Sequence, residues 1–148
     1  MSEWITPKTN WSYSYDENGA YTGDTFEPAD FNRIKNNIIY LKDLMQSLYA
    51  EKIIFNDSIL DVYYGQENGL FASEMEAIQN NLESINNNSL QLAVGSKEIY
   101  TSNAAGKLVD ELNRIEMSSH KLFTLLTNQK NNTTKLPFRL GNWKGVRT

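Results

Sequence analysis

The apolar residues Phe31, Ile34, Ile38, Leu41, Met45 and Leu48 step by 3, 4, 3, 4 and 3 positions. Side chains at that spacing share one face of an α-helix, and here the face runs through six positions without a break. Such a helix cannot bury its stripe alone, so it must pack against other helices, of its own chain or of a neighbour. Pro28 suits the first helical turn, where a missing N–H costs nothing. The helix is therefore expected over about 28–50, roughly 35 Å long at 1.5 Å per residue.

Two further stripes follow. Met75, Ile78, Leu82 and Ile85 step by 3, 4 and 3, with Ser73 placed to cap and Glu76 three residues on, the spacing of a capping box. This predicts a helix over about 73–88, weakened and ended by the Asn-Asn-Asn-Ser run at 86–89. Leu108, Leu112, Ile115, Ser119, Leu122 and Leu126 mark a third helix, about 103–129, with one polar member. The fold class expected is mainly α: a three-helix bundle or coiled-coil-like helices over 28–129, carrying an extended aromatic N-terminal arm (1–27) and a short extended tail (130–148). Residues 53–70 are ambiguous, with the apolar residues to make a short strand and a helical turn.

The helices look related. Aligning Ile34 with Ile78 sets Asp30 over Glu74, Phe31 over Met75, and the pair Asn36-Asn37 over Asn80-Asn81. Leu112-Asn113-Arg114-Ile115 echoes Phe31-Asn32-Arg33-Ile34, with Ser118 and Ser119 in place of the asparagine pair. Three readings of the pairs stand open. They reflect A/T-rich coding on a solvated face, which the excess of Lys over Arg (10 to 4) also suggests. They hydrogen-bond a neighbouring loop backbone, since Asn37 and Asn81 each precede a core position. Or they set register between helices, as a buried polar residue can.

The arm contains Trp4, Trp11, Tyr13, Tyr15, Tyr21 and Phe26 among turn-forming residues, and it lacks a helical period. The tail adds Phe138 and Trp143 with Lys135, Arg139, Lys144 and Arg147. Large aromatics of this kind must lie on something, either the chain's own bundle or a neighbour. The neighbour is the reading favoured here, which makes Trp4, Trp11, Tyr13, Tyr15, Phe138 and Trp143 docking residues. The stripe residues of the first two helices would then form an assembly seam, with a trimer or higher ring ahead of a dimer.

Catalysis has little to draw on. There is no cysteine, which removes thiolate chemistry and disulfides. His120, the only histidine, has no HxxxH or HxxE companion, and Ser118 and Ser119 are too near in sequence to face it on a helix. Asp57 with Asp61 and Asp110 with Arg114 have the spacing of ordinary surface charges. The Asp16-Glu17-Asn18-Gly19 turn lacks the ligand order of a calcium loop. No phosphate-cradling glycine motif occurs. The expectation is a protein without catalytic residues, metal or cofactor. A net charge of −4 gives no general reason to seek nucleic acid, despite the basic tail. Neither a signal peptide nor a membrane span is expected.

One resemblance bears on function. Trp4-Ile-Thr-Pro-Lys-Thr-Asn-Trp11, a turn-rich spacer and Phe26-Glu-Pro-Ala-Asp-Phe-Asn-Arg-Ile-Lys-Asn-Asn together resemble small virion structural proteins of tailed phages that infect low-GC Gram-positive bacteria. Residues 71–88 resemble the second helix of those proteins. Asn10 stands where aspartate is usual, and Glu76 and Gln79 also depart from the pattern. The resemblance covers 4–44 and 71–88. It implies a virion location in the tail, baseplate or fibre region, partners that are further copies and other virion proteins, and no catalytic residues. The alternative is a module that binds host cell-wall carbohydrate through the N-terminal aromatics.

Overall fold

The computed structural model describes residues 3–49, 52–59, 71–95 and 105–133. Its helices are α1 (Pro28–Tyr49), α2 (Phe71–Asn87) and α3 (Ala105–Thr133). Each end has a local cause. At α1, Pro28 takes the first helical position, and Asp30 two residues on accepts the Glu27 N–H at 3.0 Å. The Glu27 carbonyl accepts in turn from the N–H groups of Asp30 and Phe31. That is the reciprocal half of a capping box with aspartate in the glutamate role. α2 begins two residues before the expected Ser73 cap. Its C-terminal end is closed by side chains: Asn88 donates to the Ser84 carbonyl and Ser89 to that of Ile85. The Gln91 N–H donates to the Asn86 carbonyl at 2.9 Å as the chain turns away, with Gln91 at a φ of 52°. α3 starts two residues late and runs four residues past the expected end.

The three stripes meet inside one chain. Phe31, Ile34, Ile38, Leu41 and Met45 are buried, as are Met75, Ile78, Leu82 and Ile85, and on α3 Leu112, Ile115, Leu122 and Leu126. Leu48 and Leu108 are half-buried at the edge of this core, and Leu44 joins it. The seam proposed for assembly is thus spent on the bundle's own interior. A single chain supplies three stripes, each covers the other two, and little of the seam is left for a neighbour. Ser119, the polar member, is buried with its hydroxyl unpaired among the described residues.

α1 and α3 run in the same direction. Arg33 meets Glu116, Tyr40 packs on Phe123 with ring centroids 5.8 Å apart, and Tyr49 Oη donates to Gln129 at 2.9 Å, all in the same order along both helices. Their shared groove is filled by the arm, which descends it against the direction of α1. Trp4 stacks on Phe123 at 4.1 Å and 4° beside Tyr40. Ile5 then lies at Asn37, and Trp11 reaches Glu116 and Phe26. Trp4 and Trp11 therefore dock on their own bundle, not on a neighbour. The groove between two parallel helices is long enough for residues 4–11 and already aromatic at Tyr40 and Phe123. Residues 12–24 then fold as a hairpin, with Tyr15 and Tyr21 forming an isolated antiparallel bridge. Phe138 and Trp143, the tail members of the docking set, lie outside the described residues.

Candidate interaction site: asparagine clamps and the tyrosine hairpin

Four asparagines on the helices each grip the backbone of one extended residue at two points. Asn37 Oδ1 accepts the Ile5 N–H at 3.0 Å while its Nδ2 donates to the Ile5 carbonyl at 2.7 Å. Asn113 treats Trp11 the same way, at 2.8 and 2.9 Å. Asn81 holds Asn56 at 2.7 and 3.1 Å, and Asn86 holds Leu92 at 2.8 and 2.9 Å. A carboxamide offers one donor and one acceptor in a plane, as a peptide unit does, so each side chain acts as a one-residue strand neighbour. The loop-backbone reading of Asn37 and Asn81 is the one the structure supports. Their helix partners Asn36 and Asn80 lie farther from the core, at half-buried and exposed positions.

A charged hub fixes the lower arm. Glu116, only 1% exposed, accepts from the Trp11 indole N–H, from the Arg33 guanidinium and from the Lys8 backbone N–H. Arg33 also donates to Asp30 at 2.9 Å. The echo noted on α3 has the same chemistry, because Arg114 pairs with Glu111 three residues earlier and reaches the Val94 carbonyl at 3.0 Å. Sequence reasoning missed Asn86, Asn113 and Glu116. The Asn-Arg-Ile echo was the available signal for Asn113, and Glu116, four residues after the core residue Leu112, was an acid out of place on a buried face.

Above the hub, the hairpin exposes aromatic surface. The Asp16 carboxylate accepts from the N–H groups of Asn18 and Ala20, both at 2.9 Å, and Gly19 supplies a φ of 80°. That turn is occupied by its own backbone. Tyr13, Tyr15 and Tyr21 are exposed, with centroids 5.4 to 5.6 Å apart. Together with Trp11, Phe26 and Leu108 they line a hollow of about 260 Å³. Tyr13 donates to the Tyr15 hydroxyl, and this bond, with some burial and the charge of its neighbours, raises the Tyr13 phenol above its ordinary value of 10.0. Asp24, at the rim, is held below 3.8 by the Lys8 ammonium at 2.8 Å and by the Ser12 N–H.

Among the described residues, no three His, Asp or Glu side chains converge as metal ligands would. His120 is exposed on α3, and its carbonyl accepts from Thr124. No described helix is long and apolar enough to cross a membrane. No family model matches this sequence, and neither a curated protein nor a solved structure matches it.

Proposed function

We propose that the protein is a non-enzymatic structural part of a tailed-phage virion, in the tail, baseplate or fibre region, assembling with copies of itself and other virion proteins. The observation that supports this reading is where the motif residues fall. Trp4, Pro7, Lys8 and Trp11 of the first box lie along the arm; Asn37 of the second holds Ile5, and Arg33, itself paired with Asp30, braces the Glu116 that receives Lys8 and Trp11. Asn81 of the third holds residue 56. A signature spent on strapping describes a scaffold. The large buried carboxylates are committed to it as well, Glu116 to Arg33 and Glu111 to Arg114.

With the helical stripes turned inward, contact with neighbours runs through the hairpin tyrosines. Light scattering on the chain should give a mass several times 17.0 kDa, and Tyr13→Ser with Tyr15→Ser should reduce it while circular dichroism stays constant. A mass of one chain at high concentration, or labelled antibody that fails to mark the particle, would defeat the reading. The exposed tyrosine cluster also favours the carbohydrate alternative, because tyrosine joins an apolar ring to a polar tip. Host wall polysaccharide should then change Trp11 fluorescence, since Trp11 lines the same hollow.

A further inference from the structure

The hollow at the hairpin presents one chemical sign. Aromatic faces carry the negative side of the ring quadrupole, and Tyr13, Tyr15 and Tyr21 leave theirs exposed. The hydroxyl hydrogens are largely spent inside the hairpin: Tyr13 donates to Tyr15, and Tyr21 donates to the Asp24 carbonyl at 2.6 Å. Their oxygens keep lone pairs, so Tyr13 and Tyr21 remain as acceptors. We propose that this hollow receives an arginine side chain of a neighbouring protein. The proposal rests on the hairpin being a contact surface, as read above, and names what the partner must bring.

Hydrogen bonding is the first support. A guanidinium is a set of donors with no acceptor, which suits a rim of phenol oxygens. A sugar hydroxyl needs both kinds of neighbour, and of the three phenols only Tyr15 keeps a hydrogen to give. Charge is the second. Residues 12–27 contain Asp16, Glu17, Asp24 and Glu27 and neither lysine nor arginine. Lys8, from the arm, answers Asp24, while Asp16, Glu17 and Glu27 make no ion pair among the described residues. The third is the chain's own use of the site's edge. The Lys8 ammonium sits 4.8 Å from the centre of the Trp11 ring and 2.8 Å from Asp24, so a cation already rests on one aromatic and one carboxylate that line the hollow. Those two are occupied, and the tyrosine faces are left for the newcomer. Arginine fits them better than lysine. The rings cross at 51° to 90° with centroids 5.4 to 5.6 Å apart, which gives open faces and no closed cage. A planar, weakly hydrated guanidinium stacks on such a face, whereas a compact ammonium keeps its water.

The test titrates the full chain, its tyrosine rings labelled for NMR, with the peptide acetyl-Gly-Arg-Gly-amide. The same peptide with lysine, or with citrulline, which keeps the length and planarity of arginine without its charge, is titrated at equal ionic strength. The arginine peptide should move the Tyr13, Tyr15 and Tyr21 signals to saturation. It should bind about tenfold more tightly than the citrulline peptide, the scale of a cation held over a ring, with lysine between them. Tyr15→Leu, which keeps an apolar side chain and removes a face, should weaken the arginine peptide severalfold and change the citrulline peptide little. Tyr15→Phe, which keeps the face, should preserve binding. Equal binding of the arginine and citrulline peptides, no saturable shift with arginine, or undiminished binding by Tyr15→Leu would each overturn the proposal. So would host wall polysaccharide that moves the three tyrosine signals where the arginine peptide does not. The peptide comparison on the unaltered chain decides the matter even if Tyr15→Leu disturbs the hairpin. A chain that assembles and marks the particle but binds both peptides equally loses this inference alone; one that prefers arginine but never marks the particle loses the virion reading and keeps the site.

Discussion

At the scale of single residues, the folded arm depends on polar side chains that resemble surface residues in the sequence. An asparagine that replaces a strand neighbour contributes in proportion to how little water could take its place. Ile5 is 51% exposed, so Asn37→Ala should cost about 1 kcal/mol, because solvent recovers part of what the amide gave. Trp11 is 5% exposed, so Asn113→Ala should cost about 2–3 kcal/mol, with two backbone groups left near a dry indole. Urea denaturation measures both, and equal costs would contradict the burial argument. Glu116→Ala removes one acceptor from three donors and leaves Arg33 with Asp30 alone. Its expected cost is about 3–5 kcal/mol, the range for breaking a buried pair from one side. Asp24 gives a pH signature. Its carboxyl, lowered chiefly by Lys8, adds stability that is present above the ordinary value of 3.8 and is lost only as pH falls through its lower folded value. Its NMR titration midpoint should therefore fall below 3.8, and Lys8→Met should bring it back up. Of these residues, Asn37 and Asn81 were legible because they recur beside a core position. Asn86 and Glu116 have no such recurrence in the sequence, and Asn113 had only the Asn-Arg-Ile echo of α1 to mark it.

At the scale of elements, the apolar periods placed the helices to within a few residues, because a stripe of six or four positions admits one face. The ends were less legible. They depend on local hydrogen bonds, such as Asp30 reaching back to Glu27, while α3 runs on through exposed residues 130–132 that no apolar period marks. The arm was misplaced for a related reason. Its aromatics showed that it had to lie on something, yet nothing in residues 1–27 encodes the parallel groove of α1 and α3 that receives it. That placement yields a prediction opposite to a docking arm's. A chain starting at Thr25 would lose the burial of Trp11 and Pro7 and the stacking of Trp4. At roughly 1.5–3 kcal/mol for each large side chain, against a total stability of about 5–15 kcal/mol, the melting temperature should fall by about 10 °C or more. An unchanged melting temperature would remove the arm from the fold. Within the hairpin, Gly23 admits no side chain, since a Cβ would lie 2.5 Å from the Tyr21 hydroxyl and 2.7 Å from the Ser12 carbonyl. Gly23→Ala should disorder the tyrosine cluster and leave the helical signal in circular dichroism unchanged.

At the scale of the whole molecule, the order of the elements sets how the chain can fold. The arm is first in sequence, but its partners are last: Lys8 and Trp11 meet Asn113 and Glu116 across 102 to 108 residues. The groove does not exist until α1 and α3 lie side by side. Closing so long a loop costs entropy that only the finished groove repays. The strap should consequently form after the bundle, in the late part of the folding reaction. Substitutions that loosen it, such as Asn113→Ala, should then leave the refolding rate nearly constant and speed unfolding, the pattern of a contact absent from the transition state. A core substitution such as Ile38→Val should instead slow refolding, because its stripe must pack before the groove appears. Stopped-flow tryptophan fluorescence reads the first case directly, as Trp11 enters its site beside Glu116 only when the strap closes. The remaining tryptophan signals can be separated by Trp4→Phe and Trp143→Phe. If Asn113→Ala slows refolding in proportion to its cost, the arm is part of the nucleus, and the bundle forms around the strap and not before it.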